Sequence, residues 1–381
     1  MHLAFLTPEY PHTLSTSTGG LGTSIKNMVI ALVEKGVTVT VFIYGQQQDK
    51  IFTEEGIHFH FIKQQHYKFL GWYFYRKFLQ NYLNRAIVEE NIDAIEAPDW
   101  TGITAFIKLK CPLVIRMNGS DAYFCNLENR PQKKKNYWFE KLALKGADHL
   151  LSVSQFTAEK TASIFHLERK IKIIPNSVDI NRFSPQQQGI KPGTVLYFGS
   201  LIRKKGVLEL PEIFNHLERE NLPVQLKLAG RDVTDKATGR STKNLMLENF
   251  SPGAAQKIVW LGNLPYEEIL EEILNAHVIV LPSFAEALPM TWIEAMSMEK
   301  ALVTSDIGWA KEVMVDGETG YTVDPKNHQL YASRIFQLLT KPALAKSMGK
   351  AARERIMNKF STKVVVEENI RFYKSITRST S

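Results

Sequence analysis

The stretch His277-Val-Ile-Val-Leu-Pro-Ser-Phe-Ala-Glu-Ala-Leu-Pro-Met-Thr-Trp-Ile-Glu-Ala-Met296 passes through three kinds of local pattern. An apolar run, His277 to Pro282, reads as a buried strand, and a loop carrying Glu286 follows it. A helix then begins near Pro289 and carries Glu294. Strand, loop and helix in that order are the working unit of an α/β sheet. The amides of a loop held at a helix N-terminus attract anions, so a diphosphate could dock at Ala287–Met290. Eight residues of helix cover roughly 12 Å, close to the span from a sugar across a pyrophosphate to a ribose. One carboxylate could then receive sugar hydroxyls and the other those of a ribose. Two surface acids on an ordinary helix would give the same letters.

Outward from that stretch the same alternation runs through the chain. Leu3–Leu6, Thr38–Tyr44, Ala94–Ala97, Leu113–Met117, Leu150–Val153 and Ile171–Ile174 read as strands. Helical patterns over Thr23–Lys35, Trp72–Glu90 and Tyr137–Lys145 lie between them. The Pro-, Gly- and Gln-rich segment Asn181–Gly193 reads as a linker. Beyond it the pattern restarts with Thr194–Phe198, Gln225–Leu228, Ile258–Leu261, Val278–Leu281 and Ala301–Thr304. Two doubly wound α/β domains are expected, over 1–185 and 192–361. The last helix, near Thr362–Lys374, is expected to cross back so that 362–381 joins the first domain, although its own sequence does not say where it packs.

Length and composition fit two globular cores: 381 residues, 44% hydrophobic and 23% charged. No apolar run is long enough to span a bilayer, and the N-terminus reads as a first strand rather than a signal peptide. Cys111 and Cys125 have neither metal spacing nor the look of a disulfide scaffold, which suits a reducing cytoplasm. The net charge of +8 is unevenly spread. Between Gly56 and Val88 there is no Asp or Glu, while Lys63, Lys68, Arg76, Lys77 and Arg85 are interleaved with ten aromatics. With Lys133–Lys135 this region suits an anionic membrane surface. No nucleic-acid module accompanies it, so nucleic acid is not expected as a partner. A solvated helix face over an aromatic core would look alike.

Two further loops could hold anions. Thr18-Gly-Gly-Leu-Gly22 follows the first strand and opens a helix, so Gly20 and Gly22 would let phosphate approach the backbone. It is neither a dinucleotide fingerprint nor a Walker loop, and a plain turn reads equally well. Phe198-Gly-Ser-Leu-Ile-Arg-Lys-Lys-Gly206 again links strand to helix, and Arg203, Lys204 and Lys205 could neutralise a diphosphate leaving group. No Asp-x-Asp, His-Glu-x-x-His or Cys-x-x-Cys occurs, so no dedicated metal site is expected. No Gly-x-Ser-x-Gly elbow points to a serine hydrolase.

Taken together, the chain resembles the retaining family 4 glycosyltransferases, a group with bacterial lipopolysaccharide and exopolysaccharide transferases and related to glycogen synthases. The resemblance rests on Gly19–Gly22, Ser152–Thr157, Ile174–Asp179, Lys205-Gly206, Trp260–Asn263, the Glu286/Glu294 pair and Asp316–Gly320. It implies the GT-B fold, two Rossmann-like domains facing across a cleft, with a UDP- or GDP-sugar on the second and the acceptor on the first. It implies that Glu286 takes donor sugar hydroxyls and Glu294 the ribose. Lys205, with Arg203 nearby, would neutralise the diphosphate, helped by the amides of Leu288 and Pro289, while Gly20 and Gly22 close over it. The base would be read by backbone near Gly230, Leu261 and Asn263. The family needs neither metal nor cofactor: the nucleotide-sugar is a co-substrate, and its leaving phosphate receives the acceptor's proton.

Several positions depart from the family pattern. Ser200 follows Gly199 where most members have Arg; Asn118 stands where many have His; Ala287 replaces a glycine. The resulting expectation is a metal-independent hexosyltransferase serving a glycan, lipid-linked or small-molecule acceptor in surface polysaccharide synthesis. It would work in the cytoplasm, peripherally on the inner face of the membrane. A catalytically weak nucleotide-sugar-binding protein is the alternative from those three substitutions. A sugar-nucleotide epimerase would share the architecture but not the carboxylate pair.

Overall fold

The computed structural model describes residues 1–15, 19–186 and 189–377. Thr18 of the first glycine loop, Gln187 and Gln188 of the expected linker, and residues 378–381 lie outside the described residues. The chain divides into two compact units, Met1–Ser177 with Thr362–Ser381, and Val178–Ser361.

Unit 1 is built on β1 (His2–Thr7), β2 (Thr38–Gln46), β3 (Lys50–Glu54), β4 (Ile57–Lys63), β5 (Ala94–Pro98), β6 (Leu113–Met117), β7 (His149–Ser152) and β8 (Ile171–Ile173). Among the described residues the sheet order is β3-β4-β2-β1-β5-β6-β7-β8, and only β3 runs antiparallel to its neighbour. The central strands are buried on both faces, which is why they read as near-continuous apolar runs. Successive residues still serve different cores. Val39, Val41 and Ile43 pack beneath helix Gly20–Glu34, whereas Phe42 and Tyr44 face Leu79 and Leu83 of helix Gly71–Glu89.

The C-terminal helix Thr362–Thr377 belongs to unit 1 and lays Val365, Ile370 and Tyr373 on the first of those cores. A buried polar cluster fixes it to the sheet. Arg116 on β6 grips Glu96 on β5 through Nε and Nη2 at 2.8 and 2.9 Å. The same guanidinium reaches Asn369 Oδ1 at 2.6 Å, and the Tyr373 hydroxyl donates to Glu96. A buried ion pair needs its remaining hydrogen-bond capacity filled, and the helix supplies those partners.

The segment from Gly56 to Val88 is more varied than its composition suggests. Its first residues form β4, an alternating strand whose Phe59 and Phe61 enter the core, so the expected helix face accounts for only part of it.

Unit 2 carries β9 (Thr194–Phe198), β10 (Gln225–Ala229), β11 (Ile258–Gly262), β12 (Val278–Leu281), β13 (Ala301–Ser305) and β14 (Tyr321–Val323). Their order is β11-β10-β9-β12-β13-β14, with every pairing parallel. The chain winds one way from β9 to β11 and the other from β12 to β14. A crevice therefore opens where β9 and β12 end side by side. Residues expected in the linker are built into this unit: the Phe183 carbonyl accepts from Ser297 Oγ at 2.8 Å, and the Phe183 ring meets Tyr266 edge-on. Among the described residues no helix is long and apolar enough to cross a membrane.

Candidate donor site

The two loops leaving β9 and β12 are joined at the switch point. After β9 the chain makes a tight 3-10 turn over Arg203–Lys205 and turns away at Gly206 with φ of +70°. Phe284 and Ala285 donate backbone N–H groups to the Lys204 carbonyl at 2.8 and 3.2 Å. Gly206 lies so close to the other loop that a Cβ there would fall 1.8 Å from the Pro282 carbonyl oxygen. Only glycine tolerates both the dihedral and the approach. The consequence is that Lys205 Nζ sits 2.9 Å from Glu286 Oε1, which also accepts from Ser283 Oγ at 3.0 Å.

Glu294, on helix Met290–Ser297, is buried on the same unit. Its Oε1 accepts from the Tyr266 hydroxyl at 3.1 Å. Burial pushes its carboxyl up to about 7; the Tyr266 hydrogen bond and the charges of Lys205 and Arg182 pull the other way. Arg182 completes the support, with its guanidinium 4.3 Å from the centre of the Tyr266 ring. Tyr266 has no motif to announce it; it is legible only once the fold brings helix Tyr266–Asn275 beside Glu294.

Arg203 and Lys205 part company although they share one turn. Arg203 Nε and Nη2 each lie 2.8 Å from an oxygen of Asp235, which also accepts from Thr238. The Arg203 hydrogen bonds hold the Asp235 carboxyl down at about 2. Arg203, expected near Lys205 at the phosphate, has its fork engaged in a bidentate pair with Asp235 on another loop. Pro289 is a correction to the expectation. It immediately precedes the helix, and a proline has no N–H to offer an anion, so Leu288 and the first-turn amides carry that expectation.

Gly199, Ser200 and Gly230 cluster at the ends of β9 and β10. A Cβ on Gly230 would lie 1.9 Å from the Gly199 carbonyl, and the Gly230 amide donates to Gly262 at 2.7 Å. The Ser200 carbonyl accepts from Tyr197, whose hydroxyl proton is held well above its ordinary range by burial and by nearby Glu286. Leu261 is half-buried at the end of β11, and Asn263 is exposed just beyond it. Ala287 and Leu288 are buried beside Glu286.

The remaining predicted residues are in unit 1. Gly20 and Gly22 open helix Gly20–Glu34 as expected, but the Gly22 amide donates to Glu9 Oε1 at 2.9 Å. One amide of that helix end is thus held by a carboxylate of the chain itself. Asn118 follows β6, its amide donating to Asp99 Oδ1 at 3.0 Å. Asp99 is fully buried, and burial pushes its carboxyl up to about 7. A carboxylate just after β5 was a signal available in the sequence and not used. Among the described residues no group of three or more His, Cys, Asp or Glu side chains is placed to hold a metal.

The crevice at this topological switch point thus has a cation, a carboxylate and a second buried carboxylate around it. Comparison with known proteins decides the family. Residues 18–182 match the family described as Glycosyltransferase Family 4, and residues 180–355 match Glycosyl transferases group 1. The chain belongs to the family 4 glycosyltransferases. This glycosyltransferase is 26% identical to alpha-maltose-1-phosphate synthase of Mycolicibacterium smegmatis over 63% of its own length and 66% of that relative's. In fold it is similar to sucrose-phosphate synthase from Thermosynechococcus elongatus, with a TM-score of 0.78, 17% identity and full coverage of both chains. It is also similar to Anabaena HepE, solved with UDP-glucose, with a TM-score of 0.75, 17% identity and 98% and 100% coverage. The fold of the glycosyltransferase is therefore GT-B.

Proposed function

We propose that this chain is a retaining hexosyltransferase that takes sugar from a UDP- or GDP-sugar, without metal or cofactor. The acceptor would be a glycan or lipid-linked sugar in surface polysaccharide synthesis, handled in the cytoplasm at the inner face of an anionic membrane. The observation that carries the reading is the Lys205–Glu286 pair at the switch point of unit 2. As the sugar–phosphate bond breaks, negative charge grows on the leaving diphosphate. A preorganised ammonium beside it is worth most in such a sheltered crevice. Glu286 keeps Lys205 in place in the absence of donor and has the acceptor oxygens to orient sugar hydroxyls. Glu294 is held by Tyr266 on one oxygen, and its other oxygen can meet ribose hydroxyls. Leu288 and the first-turn amides of helix Met290–Ser297 add N–H groups toward phosphate.

The test is release of UDP or GDP from a panel of nucleotide-sugars in chelator, with the anomeric configuration of the product read by NMR. Lys205→Ala should lower turnover roughly 100-fold or more, the usual cost of losing one charge-stabilising group. Glu286→Ala should do the same while leaving the fold intact. Wild-type turnover in both variants would end the assignment.

A further inference from the structure

We propose that the face of unit 1 formed by Tyr67, Phe69, Phe74, Phe106 and Trp138 docks on the surface of an anionic phospholipid bilayer. This deepens the membrane contact in the function proposed above by giving it a surface. Tyr67, Phe74 and Phe106 lie on one connected path of rings, and Phe69 and Trp138 stand apart from it. Tyr67 meets Phe74 at 5.8 Å between centroids, Phe74 meets Tyr73 at 5.7 Å, and Tyr73 meets Phe106 at 5.9 Å. Phe106 continues to Trp72 at 5.6 Å, and Trp72 to Phe139 at 5.0 Å. Phe69 is 74% exposed and Trp138 57%, values far from those of a core or of a shielded aromatic stripe. An aromatic surface this continuous calls for a partner.

The charges choose the partner. Lys77 stands over Tyr73, Lys135 over both Trp72 and Phe139, and Lys141 over Tyr137 and Trp138, each at 5.7 Å. Helix Lys134–Gly146 shows Lys134, Trp138, Leu142 and Lys145 to solvent in one stripe, while Phe139, Ala143 and Leu144 are buried behind it. Its single acid, Glu140, is fully buried and accepts backbone amides of Asp121 and Ala122. Aromatic bodies at the headgroup level ringed by lysines, with no exposed acid on the helix, match an anionic interface. The platform is held from below. Arg76 is buried 4.3 Å from the Phe139 ring centre and donates to the Trp72 and Gly102 carbonyls.

Full-length protein is sedimented with vesicles of phosphatidylcholine containing increasing phosphatidylglycerol, while donor hydrolysis is followed in the same samples. Binding should rise with phosphatidylglycerol and fall with salt. Each surface lysine removed should lower partition about fivefold, so Lys134→Gln, Lys135→Gln and Lys145→Gln together should lower it about a hundredfold. Phe69→Ser with Trp138→Ser should abolish the binding that survives high salt, with donor hydrolysis unchanged. Binding indifferent to phosphatidylglycerol, or variants that sediment like wild type, would overturn the proposal even where donor turnover is normal. Vesicle binding without any donor turnover would instead sink the proposed function and leave this surface standing.

Discussion

In the donor binding proposed above, Glu294 has two conflicting demands placed on it: burial, and the charge needed to accept ribose hydroxyls. Burial wins part of the contest and brings the carboxyl to about 7. The unfolded chain releases that proton near ~4.3. Between those values the folded state holds more protons, so stability falls as pH rises through the window and stays reduced above it. Nucleotide affinity should move oppositely, strengthening as pH rises through about 7. Glu294→Gln should flatten the stability slope and weaken UDP or GDP binding, checked by melting curves and calorimetric titration across pH. Tyr266→Phe removes the donor that favours the charged form. Its binding midpoint should shift to higher pH, with affinity roughly tenfold lower near neutrality, as for a lost hydrogen bond to a charge. A Tyr266→Phe profile that overlays the wild type would show that the hydroxyl has no part in tuning the acid. At this scale the acids and Lys205 could be read from spacing, because loop and helix positions fix them locally. Tyr266 and Asp235 could not, since each meets its partner only across the fold.

The turn after β9 does its work through an absence, that of a side chain at Gly206. Gly206→Ala would drive a methyl into the Pro282 carbonyl at 1.8 Å and strain a φ of +70°. We expect a loss of about 2 kcal/mol or more in urea unfolding, together with reduced turnover from a displaced Lys205. Normal turnover in a folded Gly206→Ala protein would mean the lysine is not positioned by this turn. Strands β9 and β12 were readable to the residue because both faces are buried and their apolar runs are unbroken. Strands β3 and β4 were missed: β3 is exposed along most of its length, and His58 and His60 interrupt the apolar run of β4. At the Gly20–Gly22 turn the contact of the Gly22 amide with Glu9 was not legible, since no local pattern reveals its approach.

Each of the two units has its own sheet and its own buried core, so calorimetry should resolve two transitions, with nucleotide raising only the one that belongs to unit 2. At 100 times its Kd a ligand adds about 2.7 kcal/mol. Ending the chain at Ser361 should lower the other transition. The Arg116–Glu96 pair would lose Asn369 and Tyr373, and each hydrogen bond lost from a charged group costs about 1.5–3 kcal/mol. Unchanged melting of unit 1 in that truncation would contradict the role given to the helix. The two-domain pattern was visible in the restart after residue 193. The helix's allegiance was not, because an amphipathic stripe states that it packs and not on what.

That helix also sets an order of events during synthesis. Residues 178–361 emerge from the ribosome before Thr362–Thr377, so the second-translated half can settle while the first still lacks the piece that seals its sheet. Until that helix emerges, the nascent first half lacks Val365, Ile370 and Tyr373, which complete its core.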